Sequence, residues 1–221
     1  MAVEEILFDV SEALRVPVLI LALLALAVIL VEVGALIVEL RRRRGRSLWQ
    51  LEAAVAECQR QLAAGQPGDA LMALLPIAWN RQMEEALSGV VEQCGRPDAE
   101  ARIAKRLAEY DYRSLRRLER TRILVRMGPA LGLMGTLIPL SPALAGLADG
   151  DVETLTENLR VAFSVTVAGL LIGAIAFGIS LVRDRLYAQD YSDVEYVAAV
   201  LTAGNGSHLP AGHHSHWAVA P

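Results

Sequence analysis

Three long apolar runs set the pattern of this chain, and stretches with helical periodicity lie between and after them. No residue from 127 to 148 is charged, and none from 161 to 182. Each of these runs is about 22 residues, roughly 33 Å as a helix, against a bilayer core of roughly 30 Å. A third, residues 16–40, is interrupted only by Glu32 and Glu39. The pattern predicts an all-α integral membrane protein with three transmembrane helices.

Residues 41–126 read as a helical segment. Ser47 followed by Gln50 is a capping-box pattern, opening a helix that stops at the turn from Gly65 to Gly68. A second helix is expected from about Asp69 to Gln93, with Pro76 as a bend or break. A third pattern starts near Asp98 and keeps Ile103, Leu107, Tyr110, Ser114 and Leu118 on one face. Nothing breaks it before Gly128. One long helix, on the order of 75 Å from Asp98 to Leu147, is therefore predicted to continue into the second span. Residues 149–160 read as a short acidic loop, 183–203 as a further helix, and 204–221 as a disordered Gly-, His- and Pro-rich tail.

Charge orients the spans. The 221 residues are 54% hydrophobic and carry a net charge of −4, which says little alone. Nearly all of the 21 Lys and Arg lie in 41–126 or just after the last span; only Arg15 and Arg160 fall elsewhere. Basic residues beside spans stay cytoplasmic. The expectation is an inner-membrane protein with residues 1–15 outside, 41–126 inside, 149–160 outside and the C-terminus inside. The first span is then a retained anchor, because the positive block follows it rather than precedes it.

Candidate chemistry is sparse. Arg113, Arg116, Arg117, Arg120, Arg122 and Arg126 crowd the long helix beside its span, where anionic lipid headgroups are the expected partner. Nucleic acid is not, since acids interleave with the block and a span adjoins it. Asp149, Asp151, Glu153 and Glu157 lack EF-hand spacing and read as solvated turn and helix-start residues, the alternative being an acidic vestibule that raises the local cation concentration. Cys58 and Cys94 match no metal motif. His213, His214 and His216 sit on a loose tail and make a poor metal site. No cofactor is expected, and no nucleophile, metal or phosphate-loop constellation points to an enzyme. Glu32 is the intramembrane acid of note, either a functional group or the partner of an arginine on the cytoplasmic side.

The spans themselves carry small residues at helical spacing. The second holds Gly128, Gly132 and Gly135, then Thr136, with Ala143 further along. The third aligns Ala162, Thr166, Gly169, Gly173, Ala176 and Ser180. Such faces let helices approach closely. Thr136 and Thr166 either bond their own helix carbonyls or line a narrow wet path. Neither span has a titratable residue, so neither can relay a proton alone.

The stretches "GPALGLMGTLIPL" (128–140) and "LRVAFSVTVAGLLIGAIAFGI" (159–179) resemble the second and third core spans of the MotA/TolQ/ExbB proton-channel family. The three-span, N-out topology is similar to the TolQ and ExbB branch. The resemblance implies a pentameric ring around the spans of a single-span MotB/TolR/ExbD-like partner that carries a membrane aspartate. Thr136 and Thr166 would be pore-lining and face that aspartate. Ion flow, of protons or sodium, would drive relative rotation of ring and partner. The chain departs from the family pattern at Pro139, where a small residue is common, and at Val161, where some members carry an acid. The alternative is a three-span scaffold whose small faces only pack.

Overall fold

The computed structural model describes residues 2–45, 47–148 and 150–203, and every regular element among them is helical. Helix α1 covers Ala2–Ala13 and α2 covers Arg15–Arg42. The ladder runs through Leu14: its N–H donates to the Val10 carbonyl at 3.1 Å, and its carbonyl accepts from Val18 at 3.0 Å. The residues ahead of the first span are thus helical too. Then come α3 (Leu48–Ala63), α4 (Pro67–Leu74), α5 (Arg81–Gln93), α6 (Ala99–Ala148) and α7 (Val152–Ala203).

Local chemistry sets the boundaries. Ser47 caps α3, its Oγ accepting from the Gln50 N–H at 3.2 Å. Gly65, at φ 74°, takes the left-handed conformation that ends α3. Pro67 occupies the first turn of α4, where a missing N–H costs nothing. The one helix expected from Asp69 to Gln93 is two. Pro76 has no N–H for the helix ladder, a 3-10 turn at Leu75–Ile77 follows α4, and Ala78 is extended. Asn80 restarts the chain as α5, its side chain accepting from the Met83 N–H at 2.9 Å.

Two other expectations are corrected. The loop foreseen over 149–160 is mostly helix, because α7 begins at Val152. Asp151 caps it, accepting from the Thr154 N–H at 3.0 Å and from the Thr154 hydroxyl at 2.5 Å, and these bonds hold its carboxyl below the usual range. Residues 183–203 are no separate helix but the continuation of α7, since no Gly or Pro interrupts the ladder there. The predicted long helix is α6, and it holds Pro129, Pro139 and Pro142 within its span part.

The chain divides into two compact units. The span unit comprises, among the described residues, 2–41 together with Arg116–Arg185. Its core joins Val18, Ala25 and Ile29 of α2 to Leu131 of α6 and Ile172, Ala176 and Ile179 of α7. Only 22%, 28% and 33% of the most apolar windows of its three long helices are buried, so most of their surface faces outward as lipid-compatible Leu, Ile, Val and Phe. The chain is an all-α membrane protein, with three helices long and apolar enough to cross a bilayer.

The second unit comprises, among the described residues, Arg42–Leu115 and residues 186–203. It packs α3, α4 and α5 against the first part of α6 and the last part of α7 around Leu74, Met83, Leu87, Val90, Ile103 and Val194. Arg43 joins α7 through a buried two-point pair with Asp190, at 2.6 and 2.7 Å. Gln59 donates to the Val200 carbonyl at 3.2 Å.

Candidate functional site in the span helices

The site is the seam between α6 and α7 inside the span unit. Gly128 and Gly132 of α6 meet Thr166, Gly169 and Gly173 of α7 at backbone-to-backbone range, and Gly135 of α6 lies against the side chain of Val165. A Cβ on Gly169 would lie 2.5 Å from the Gly128 carbonyl oxygen and 2.8 Å from the Gly132 nitrogen. A Cβ on Gly128 would lie 2.7 Å from both the Gly169 oxygen and the Gly173 nitrogen. Backbone cannot step aside as a side chain can, so only glycine permits this approach. The remaining small residues of α7 (Ala162, Ala176 and Ser180) are buried.

The threonines occupy different places on this seam. Thr166 is half-buried, and its hydroxyl lies 3.1 Å from the Ala162 carbonyl and 3.2 Å from the Gly132 carbonyl across the seam. Thr136 is half-buried, and its hydroxyl donates to the Leu133 carbonyl at 2.7 Å. Both hydroxyls therefore rest on backbone oxygens. Each hydroxyl can rotate toward a stronger acceptor, because a hydroxyl carries one donor and two lone pairs. Pro129 adds a polar feature: without its N–H the Val125 carbonyl loses its helix donor. A Cβ on Gly173 would come within 3.4 Å of that oxygen and 2.8 Å of the Pro129 ring. Pro139 is buried and, by the same logic, releases the carbonyl of Gly135.

Beneath the seam, Glu32 finds a partner. Arg183 of α7, with its side chain 8% exposed, donates to Glu32 of α2 at 2.5 Å and to the Thr121 hydroxyl of α6 at 3.0 Å. Glu39, one heptad along α2, lies 3.7 Å from the same guanidinium. One cation thus ties all three span helices together. Sequence reasoning left Glu32 open between a functional acid and an arginine partner; it did not single out Arg183 or Thr121. The available signal was the pairing of the two intramembrane acids with the first cation after the last span. At the other end, Arg15 donates to Asn158 at 2.8 Å.

The other sequence candidates lie apart from the seam. Cys58 and Cys94 belong to the second unit and are free thiols. His213, His214, His216 and Asp149 lie outside the described residues. Among the described residues no cluster of three or more His, Cys, Asp or Glu could hold a metal. Val161 is half-buried near the start of the α7 span, one turn before Val165.

A sequence model of the MotA/TolQ/ExbB proton channel family matches residues 78–191. No curated protein and no solved structure matches the chain significantly. The matched stretch is just over half of the chain and contains the α6–α7 seam with its glycines, both threonines and Arg183. With close-packed glycine helices, second and third spans without a titratable residue and this match in agreement, the chain belongs to the MotA/TolQ/ExbB proton channel family.

Proposed function

We propose that this chain is the ring subunit of an ion channel that converts proton-motive (or sodium-motive) force into mechanical work. It sits in the inner membrane with its N-terminus outside and its C-terminus inside, as the concentration of arginine at one end of the spans favours. Five copies surround two copies of a single-span partner whose membrane aspartate takes up and releases the ion.

One observation carries this reading. The apolar parts of α6 and α7 hold no titratable group, yet they carry two threonine hydroxyls that rest on backbone carbonyls of Leu133 and Gly132. Such walls cannot take up a proton themselves, but they can solvate a carboxylate that does. In the proposed cycle Thr136 and Thr166 turn from their backbone acceptors and donate to the ionised aspartate. When a proton arrives from the outside the carboxylic acid is neutral, the threonines return to Leu133 and Gly132, and the partner is released to rotate. Deprotonation toward the inside resets the cycle. No bond other than O–H is made or broken.

The test combines composition with a variant. Gentle extraction from the native membrane should give five copies of this chain with two of a small, single-span, Asp-bearing protein. Thr166→Val should leave that assembly intact and abolish partner-dependent ion flux, with Thr166→Ser retaining part of it. A monomer or dimer without such a partner, or full flux in Thr166→Val, would replace the channel with a scaffold whose seam only packs.

A further inference from the structure

One face of α6 carries a row of exposed residues that passes from basic to apolar. Arg116, Arg120, Ile123, Met127, Met134 and Leu137 follow one another at spacings of three, four and seven, which places them in one row along the helix. All six are exposed: Ile123 and Leu137 at 59%, Met127 at 42% and Met134 at 39%, with both arginines open to solvent. Among the described residues neither arginine forms an ion pair, whereas Arg113 and Arg122 are engaged by Glu85 and Glu109 and by Asp184. The row thus begins with two unneutralised cations and continues as hydrocarbon for about four turns.

We propose that this row binds an anionic membrane phospholipid, its phosphate between Arg116 and Arg120 and an acyl chain along Ile123, Met127 and Met134. Charge complementarity selects the occupant. A ligand for this face must be negative at one end and apolar along the rest, and it must be present where a spanning helix meets the bilayer surface. A guanidinium pair one turn apart suits a phosphodiester, to which arginine donates in parallel. A second copy of the span unit is a poorer match. At this end of the spans its exposed acid without a described ion pair is Glu119, which lies on the same helix beside the arginines. The inference goes beyond ion conduction and does not depend on it.

The experiment uses the full-length protein in its extracted complex, stripped of lipid and titrated with phosphatidylglycerol or phosphatidylcholine of identical chains, with bound lipid counted by native mass spectrometry. Phosphatidylglycerol should be retained in preference to phosphatidylcholine. Arg116→Gln/Arg120→Gln should bind it about 30-fold more weakly, in line with the modest attraction of each basic residue for an anionic surface. Arg117→Gln/Arg126→Gln removes the same charge from off the row and should bind normally. Equal weakening in both double variants would reduce the effect to diffuse charge and overturn the site. Absence of a phosphatidylglycerol preference would overturn it too, as would Met127→Cys forming disulfides between copies while no lipid is retained. The readout is lipid binding, so it is unaffected if the chain proves not to conduct.

Discussion

Thr166 shows how a single residue carries two roles. Its hydroxyl is 3.2 Å from a carbonyl of the neighbouring helix, which tightens the seam, yet it is only half-buried and can turn to another acceptor. Thr136 has its bond within its own helix, so its release costs no contact across the seam. Chemistry at the opposite extreme appears at Cys58. That thiol is fully buried in the second unit, and burial, with Cys94 nearby, pushes it up to about 11; burial raises Cys94 as well. A raised thiol pKa lowers the thiolate fraction at every pH below it, and the thiolate is the nucleophile. Cys58 in the folded protein should therefore alkylate at least roughly 100-fold more slowly at pH 8 than an unperturbed cysteine. Peptide mass spectrometry after iodoacetamide treatment reads this, and prompt labelling of native Cys58 would contradict its place in the core.

At the scale of elements, the seam and the arginine node hold the spans together by different physics. Between lipid-exposed helices the hydrophobic effect contributes little, and close packing with interhelical hydrogen bonds takes its place. Gly169→Ala should cost about 1–3 kcal/mol, because its methyl meets backbone atoms of Gly128 and Gly132. Gly178→Ala is the control on the same helix: nothing lies within 4 Å of its Cβ position, and better helix propensity should leave it neutral or slightly stabilised. Thermal unfolding in mild detergent compares the two, and equal losses would mean that the seam is not the tight contact. At the node, Arg183→Met leaves Glu32 and Glu39 facing each other's charge without a cation. A loss of about 3 kcal/mol is expected, the lower end of the range for breaking a buried pair since Glu32 keeps some exposure. Adding Glu32→Gln should recover part of it. If the double variant is no better than the single one, the pair is not coupled.

At the scale of the whole chain, two hydrophobic cores have formed from one sequence, and α6 and α7 contribute to both. The second unit relies on ordinary water-driven burial, so truncating its core should follow the rules for soluble proteins. Leu87, 1% exposed, should cost about 2–5 kcal/mol on change to Ala. Hydrogen exchange should then speed up in α3, α4 and α5 while the α6–α7 seam at Gly128–Gly173 keeps its protection. Acceleration spread evenly over both units would show that they do not unfold independently.

The sequence by itself determined the spans, the long α6, the small faces and the family, because each depends on local quantities: unbroken hydropathy, helical period, and glycine at four-residue spacing. It foresaw a break at Pro76 for the same reason, but not that Asn80 would make the break complete. Only the tertiary structure decided which groups meet. Glu32 and Arg183 are 151 residues apart in the chain, and nothing in the local pattern of either names the other. Arg43 and Asp190 are likewise remote, and a basic block reads as a membrane-orientation signal until one of its members is found buried against a carboxylate. The exposed row on α6 needed both levels. Its spacing is written in the sequence, but its openness follows from the opposite face of the helix being filled by glycine contacts with α7.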